Sequence, residues 1–580
     1  MMQSPSVPGF LLPSGGAILS LDGVDLLVIS LYFVAVIGIG LYLKSHTKTG
    51  EDFFMAGREM TAWIAGLSFL AANLGSLELM GWAGAAYQYG ILATHWYWVG
   101  AIPAMLFLGL VMMPFYYICK THSVPGYLQL RYGEGSRTLA AVSFGFMTVL
   151  MSGINMFAMA KVMQVVLGWD LHFSIWISSL TVGAYVVLGG LLSAIFNEVL
   201  QFVLIWLGAM LIPIVGLIET GGWSGMVARI HNNPIVQSHV QGQDFTHLWS
   251  TMGTFSGNPM GIHWTGIVFG LGWVISFGYW TTDFLVVQRV MSAKDLRSAK
   301  MAPIIGAAFK MFVPFIVILP GLLGLAVLPE LLHSEKLVQA HPGWHSYNDV
   351  LPLMLARYLG PGLLGLGVTA LIAGFMSGMA GNVTAFSTVW TYDIYKAFRK
   401  KELTDAHLVR VGRWATIVGV AISIGAAYFA MQFQSIMDYV QALFSFFIAP
   451  LFGTVIFGML WKRATPAAGF WGLLAGTASS IAMYVWVKVD PTALRYIALS
   501  PNAKDMAENM YRALWSWLIC AGVTIVVSYL TQPKPESELV GLVYGIGAMP
   551  HEEPVALWKR PIFWAGAVIV VFFILNLLVW

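Results

Sequence analysis

Fourteen separate stretches of this chain stay predominantly apolar for about 20 residues or more, and no other feature restricts its fold so severely. They lie at 22–44, 61–90, 94–119, 137–167, 172–191, 196–219, 262–289, 302–329, 362–392, 408–431, 436–461, 466–488, 508–531 and 561–580. A hydrocarbon layer is ~30 Å thick and a helix rises 1.5 Å per residue, so each window is long enough to cross one. Backbone inside lipid has to satisfy its own hydrogen bonds, which leaves helices or closed barrels. The windows are too long for barrel strands and do not alternate apolar with polar residues. Of 580 residues, 58% are hydrophobic and 10% charged, far from the ~25% charged of a soluble domain. The sequence predicts an all-α polytopic membrane protein of about 14 transmembrane helices.

An even number of spans puts both termini on one side, and the basic residues choose the side. With the N-terminus outside, 21 Lys and Arg fall on inner segments and 7 on outer ones, the bias expected of cytoplasmic loops. Residues 220–261 and 330–349 become outer segments and 532–560 an inner one. Met1 to Leu21 carries no Lys or Arg and no cleavage pattern, so the first span is expected to remain as a helix. A net charge of +3, scattered along the chain, suggests no nucleic-acid partner. Cys119 and Cys520 form neither a disulfide framework nor a metal cluster on sequence grounds, and no cofactor motif is present.

Two windows contain polar patches at mid-span. Ala71-Ala72-Asn73-Leu74-Gly75-Ser76-Leu77-Glu78 sets an Asn, a Gly, a Ser and a carboxylate inside 61–90. A Glu in lipid costs at least ~2.5 kcal/mol unless it faces a cavity or a partner. Ser276-Phe277-Gly278-Tyr279-Trp280-Thr281-Thr282-Asp283 lies five core spans later. For small-residue patches such as Gly374 to Gly378, close helix packing is a sufficient reason and an ion-binding role stays open beside it. Two polar interruptions in corresponding places instead predict discontinuous helices, at 71–78 and 276–280, flanking a midplane site.

These stretches also carry a family likeness. Phe53-Phe54-Met55-Ala56-Gly57-Arg58 precedes the first core helix, and Ala71 to Ser76 interrupts it. Gly189-Gly190-Leu191 with Asn197-Glu198 and Gln201 follows, then Tyr279-Trp280, Asp283 and Gln288-Arg289. Phe309-Lys310, Pro314-Phe315 and Leu319-Pro320-Gly321, then Ser377 to Asp393-Ile394-Tyr395-Lys396, and finally Leu460-Trp461-Lys462-Arg463 complete an ordered set. The chain resembles the sodium:solute symporter family, in particular its sodium/glucose-cotransporter-like branch. The resemblance implies a leading helix, ten core helices in two inverted repeats of five (the LeuT-like arrangement, with first and sixth core helices broken) and three trailing helices. The implied divisions are 1–60, 61–220, 221–261, 262–464 and 465–580.

By position, the resemblance implies sodium binding by the carbonyls of Ala71, Leu74 and Gly374 and the hydroxyl of Ser377. The family's second hydroxyl is replaced here by Gly378. Glu198 stands at an acidic position on the ion's inward path. Asn73, Glu78, Tyr97, Ser276, Tyr279, Lys310 and Gln434 fall at substrate positions, with Glu78, Tyr97 and Ser276 departing from the sugar-transporter pattern. Each has a plainer reading. Glu78 and Lys310 pair structurally, Lys161 snorkels or pairs, Asp283 caps a helix, and Trp96 belongs to an interfacial aromatic belt.

The function expected is sodium-coupled symport of a small polar solute, with a sugar or polyol leading. A monocarboxylate, amino acid, vitamin or nucleoside, with sodium or proton coupling, stays open, as does an amine paired with Glu78. An integral membrane enzyme finds no nucleophile–base set, phosphate loop or metal motif to support it, since His551-Glu552-Glu553 lacks a second His. A channel is disfavoured because paired helix breaks imply an occluded site.

Overall fold

The computed structural model describes residues 21–240, 242–333, 347–399, 403–431, 436–547 and 555–580. Every one of the fourteen apolar windows is filled by helix. The leading helix, Gly23–Lys44, starts at a capping box: the Asp22 carboxylate accepts from the Val24 N–H at 2.6 Å and Asp25 accepts from the Asp22 N–H at 3.1 Å. Asp25 also accepts from the N–H groups of Gly362 (2.7 Å) and Gly365 (2.6 Å), fastening the leading helix to the start of the eighth core helix.

Among the described residues, ten helical runs are long and apolar enough to cross a bilayer, and an eleventh is Leu296–Lys310 with Val313–Val327, bent by 46°. The windows beyond these are interrupted ones. Window 61–90 is divided into Ala62–Asn73 and Ser76–Tyr89, and the run onward to Cys119 is turned at Gly90, where φ is +68°. Window 172–191 ends at Gly190, and 262–289 is cut at Asp283. Gly190 has φ +57°, and a Cβ there would lie 2.5 Å from the Phe53 carbonyl oxygen, so only glycine admits this close crossing.

The eighth core helix, Leu363–Tyr395, is the most enclosed of these runs and packs on Ala62–Asn73 and Ser76–Tyr89 (the first core helix), Glu134–Leu167 (the third), Leu171–Ala209 (the fourth and fifth) and Asp405–Ala430 (the ninth). The leading helix and the trailing helices Pro466–Val489, Asp505–Leu530 and Pro561–Leu578 turn large apolar side chains outward. Such a surface is untenable in water and matches hydrocarbon.

The segments expected inside meet at one end of the bundle. Met60 bridges to Ala293, Arg131 donates to the Gly458 carbonyl at 2.8 Å, and Lys462 pairs with Glu536 at 2.9 Å. The segments expected outside meet at the other. The Leu248 N–H reaches the Val579 carbonyl at 3.0 Å, the Lys504 N–H reaches Met260 at 3.2 Å, and Arg357 pairs with Glu219 at 2.7 Å. This two-ended partition is what alternating spans require.

Candidate functional site

The first core helix loses its backbone ladder where the sequence places a polar patch. Ala62–Asn73 ends at Leu74 (φ −80°, ψ 55°), Gly75 is extended, and Ser76–Tyr89 resumes the helix. The Ser377 hydroxyl donates to the Ala71 carbonyl at 2.8 Å. Gly374 comes so close that a Cβ there would sit 3.0 Å from the Leu74 carbonyl oxygen. Ala71, Leu74, Gly374 and Ser377 are thus gathered where the first and eighth core helices cross, with carbonyl and hydroxyl oxygens suited to a hard cation that prefers oxygen.

The sixth core helix differs from expectation. Residues 276–280 are wound continuously: Gly266–Ser276 is a π-helical stretch that runs directly into Phe277–Thr282. The break lies three residues further on, at Asp283 (φ −71°, ψ 112°), whose carboxylate caps the next segment through the Leu285 N–H at 2.9 Å. Thr281 and Thr282 absorb their hydroxyls in back-bonds to Phe277 (2.5 Å) and Gly278 (2.7 Å), so a polar patch stays helical until the capping residue ends it. The Thr281 carbonyl freed by the break accepts from the Tyr116 hydroxyl at 3.0 Å.

Between these two helices lies a cavity of about 710 Å³, lined by Asn73, Glu78, Tyr97, Ser276, Tyr279 and Lys310 together. Its polar groups form one chain. Glu78 accepts from the Asn73 amide at 2.9 Å and from the Tyr97 hydroxyl at 2.5 Å; Asn73 donates to the Tyr279 hydroxyl at 2.9 Å. The Lys310 ammonium donates to the Asn73 carbonyl oxygen and lies 4.5 Å from the Tyr97 ring centre and 5.0 Å from that of Trp280. Asn73 therefore stands between Glu78 and Lys310. Trp82 and Trp96, 4.9 Å apart, add aromatic faces. Beside it lies a vestibule of about 3320 Å³; helix Ile436–Leu443 turns Met437, Val440 and Gln441 to the cavity and Asp438, Tyr439 and Ala442 to the vestibule.

Glu198 lies apart from this cavity, fully buried. Arg289 grips both its oxygens, at 2.6 and 3.2 Å, and Ser68 donates to it as well. Arg289 reaches the Thr384 hydroxyl at 3.2 Å, so the cluster joins the first, fifth, sixth and eighth core helices. Lys161 is paired with Asp349 at 3.8 Å, and Asp283 is a cap. Gln434 falls outside the described residues. Gln441, seven positions later, lines the cavity with a buried Oε1 that has no partner among the described residues, and the Nε1 of Trp96 has none there either. Asn155, Asn382 and Trp280 line it too. These were absent from the sequence-based set because a single amide or indole in an apolar helix has the same pattern as a packing contact.

An apolar helical body with a buried polar cavity at mid-span, set beside an interrupted helix and fronted by a vestibule, is that of a carrier passing a small solute through an enclosed site. Residues 53–476 match the model of the sodium:solute symporter family, and the chain belongs to that family. It is a multi-pass membrane protein that uses Na⁺ as its coupling ion. Sodium/glucose cotransporter 4 of Danio rerio is 28% identical over 565 residues, covering 93% of this chain and 84% of the relative. Sodium/glucose cotransporter 1 of Ovis aries is 28% identical over 548 residues, covering 90% and 81%. A substrate-bound, outward-open Na⁺-coupled sialic acid symporter superposes with a TM-score of 0.69 at 22% identity, covering 89% of this chain and 99% of that one, so the two share a fold.

Proposed function

We propose that the protein carries a neutral, hydroxyl-rich solute, a sugar or polyol, inward with sodium by alternating access. The observation that carries this reading is the Glu78–Asn73–Lys310 chain. The carboxylate and the ammonium are linked through one amide, so the cavity presents acceptors and donors with no net charge to match in the cargo. The aromatic faces of Tyr97, Tyr279, Trp82, Trp96 and Trp280 suit the apolar side of a sugar ring, and Gln441 Oε1 and Trp96 Nε1, which have no partner among the described residues, suit its hydroxyls. The sodium/glucose cotransporters that this chain resembles support the same choice.

Sodium is held by Ala71, Leu74, Gly374 and Ser377, and solute contacts come from Asn73, Glu78, Tyr97, Ser276, Tyr279, Lys310 and Gln441. Glu198, gripped by Arg289, lies on the inward path and closes it in this conformation. The first five core helices and the next five act as inverted repeats, and both termini are extracytoplasmic, as the 21-to-7 distribution of basic residues supports. One inward cation supplies ~2.3 kcal/mol per 100 mV and a tenfold gradient adds ~1.4 kcal/mol, enough for ~500-fold accumulation at a one-to-one ratio. Uptake of labelled hexoses and polyols into proteoliposomes, with an inward sodium gradient against potassium, tests the proposal. Equal uptake in potassium removes sodium coupling. Sodium-driven uptake of amino acids or carboxylates without sugar uptake removes the cargo assignment.

A further inference from the structure

The first core helix resumes at Ser76 with no side-chain cap of its own, because its cap position is Gly75. The cap comes instead from another helix. Asn155, midway along Glu134–Leu167 and buried, accepts through Oδ1 from the Ser76 hydroxyl at 2.9 Å and from the Leu77 N–H at 3.3 Å. An N–H in the first turn of a helix has no partner within it, so the bond to Leu77 meets an otherwise orphaned donor. The carboxamide reaches that place because Gly378 leaves room. A Cβ on Gly378 would lie 2.8 Å from Nδ2 of Asn155 and 3.1 Å from the Gly75 Cα, and a Cβ on Gly75 would lie 3.4 Å from both carboxamide ends. Where the family pattern has a second hydroxyl, at position 378, the volume here belongs to Asn155.

The capped turn separates two sites. Ala71 and Leu74 lie just before it, and Glu78, whose carboxylate receives both Asn73 and Tyr97, lies within it. Asn155 itself lines the solute cavity. We infer that Asn155 is a positioning residue that transmits sodium occupancy to the solute cavity, by holding the start of Ser76–Tyr89 so that a shift of the Leu74 carbonyl onto the ion is delivered to Glu78. The inference rests on the sodium and solute sites proposed above. Loss of the anchor leaves the ion bound and the cavity unresponsive, which is a loss of coupling and not of either site.

Sodium alone serves as the probe, on the full chain with Cys119 and Cys520 replaced by serine and Val440→Cys as a cavity reporter. Two quantities are read in sodium against potassium: the thermal shift, for ion binding, and the rate of labelling by a small charged thiol reagent, for cavity access. With Asn155 present, sodium changes the labelling rate by about fivefold or more. Asn155→Leu keeps its sodium thermal shift but its labelling rate changes by less than about twofold, while Asn155→Asp, which retains the acceptor, keeps the full response. Gly378→Ser pushes the carboxamide aside and gives the same uncoupled behaviour, with no added loss when combined with Asn155→Leu. A full labelling response in Asn155→Leu or Gly378→Ser overturns the inference, as does a parallel loss of ion binding and response in Asn155→Leu. Absence of any sodium shift with Asn155 and Gly378 both in place overturns the sodium site and the inference with it.

Discussion

Ser377 supplies the single side-chain oxygen in the proposed ion site, since position 378 has no side chain at all, and its removal is therefore a sharp test. Its hydroxyl lies 2.8 Å from the Ala71 carbonyl. In the resting chain that is a neutral hydrogen bond, worth about 1 kcal/mol net. Ser377→Ala does not orphan the carbonyl, which still accepts from the Leu74 N–H at 2.9 Å. The folded protein should thus survive the change. With sodium present the same oxygen faces a full charge, and an interaction with a charged group is worth about 1.5–3 kcal/mol. At about 1.4 kcal/mol per tenfold, half-saturation by sodium should rise about 10- to 150-fold. The assay is solute uptake into proteoliposomes against sodium concentration, at fixed membrane potential and saturating solute. Maximal uptake at sufficient sodium should be recovered. A half-saturation value within about twofold of the parent, with uptake intact, would place the ion elsewhere and refute the assignment of all four residues.

Gly374→Ala should weaken sodium more mildly than Ser377→Ala without unfolding the chain, because its Cβ would press on the Leu74 carbonyl oxygen from 3.0 Å; an unchanged sodium response in uptake would contradict this. Arg289→Met leaves Glu198 buried without its cation, at a cost of about 3–5 kcal/mol, so thermal unfolding should fall steeply, and Arg289→Met with Glu198→Leu should recover much of it. In the segment between the leading helix and Ala62–Asn73, the His122 imidazole (2.9 Å) and then the Arg58 guanidinium (2.5 Å) hold the Glu51 carboxyl down at about 2, from an ordinary 4.5, against the upward pull of partial burial. A depressed carboxyl stabilises the fold above its unfolded value and ceases to as pH falls through its folded one. The melting temperature gap between the parent and Glu51→Gln should accordingly be widest above pH 4.5 and close between pH 4.5 and 2; a gap that widens in acid would contradict the latch.

The spans were legible because lipid leaves a long apolar helix few alternatives, and the break at Leu74–Gly75 because Asn, Gly, Ser and Glu together at mid-span have no packing explanation. The second break was displaced by three residues. Polarity alone does not unwind a helix, since Thr281 and Thr282 satisfy their hydroxyls on the preceding turn, whereas Asp283 offers the following segment a cap. The solute position given to Gln434 illustrates a different limit. Gln434 and Gln441 are two amides seven positions apart, and the sequence alone does not choose between them; the packing of Ile436–Leu443 against the cavity brings Gln441 forward. Asn155 had no signature of its own. Its part depends on Gly378, 223 positions away, leaving room at the same point in space.

The arrangement explains why one short segment suffices to link an ion gradient to a cargo. Ala71 and Leu74 present their carbonyls to the eighth core helix, while Asn73 and Glu78, on the same interrupted stretch, meet Tyr97, Tyr279 and Lys310 on three other helices. A continuous helix would hold these carbonyls in its own ladder and set Asn73 and Glu78 at fixed angles, so neither site could sense the other. Interruption takes Leu74 out of helical geometry and, in the coupling proposed here, makes the orientation of Glu78 depend on where Leu74 sits. Coupling requires a differential interaction with two states, not mere proximity. On the proposal above, the two states would be two settings of Leu74–Gly75, with sodium favouring the one in which the carbonyls converge. The Glu78–Asn73–Lys310 chain is then presented to the solute in a single geometry, and a cargo that matches it returns the same energy to the ion.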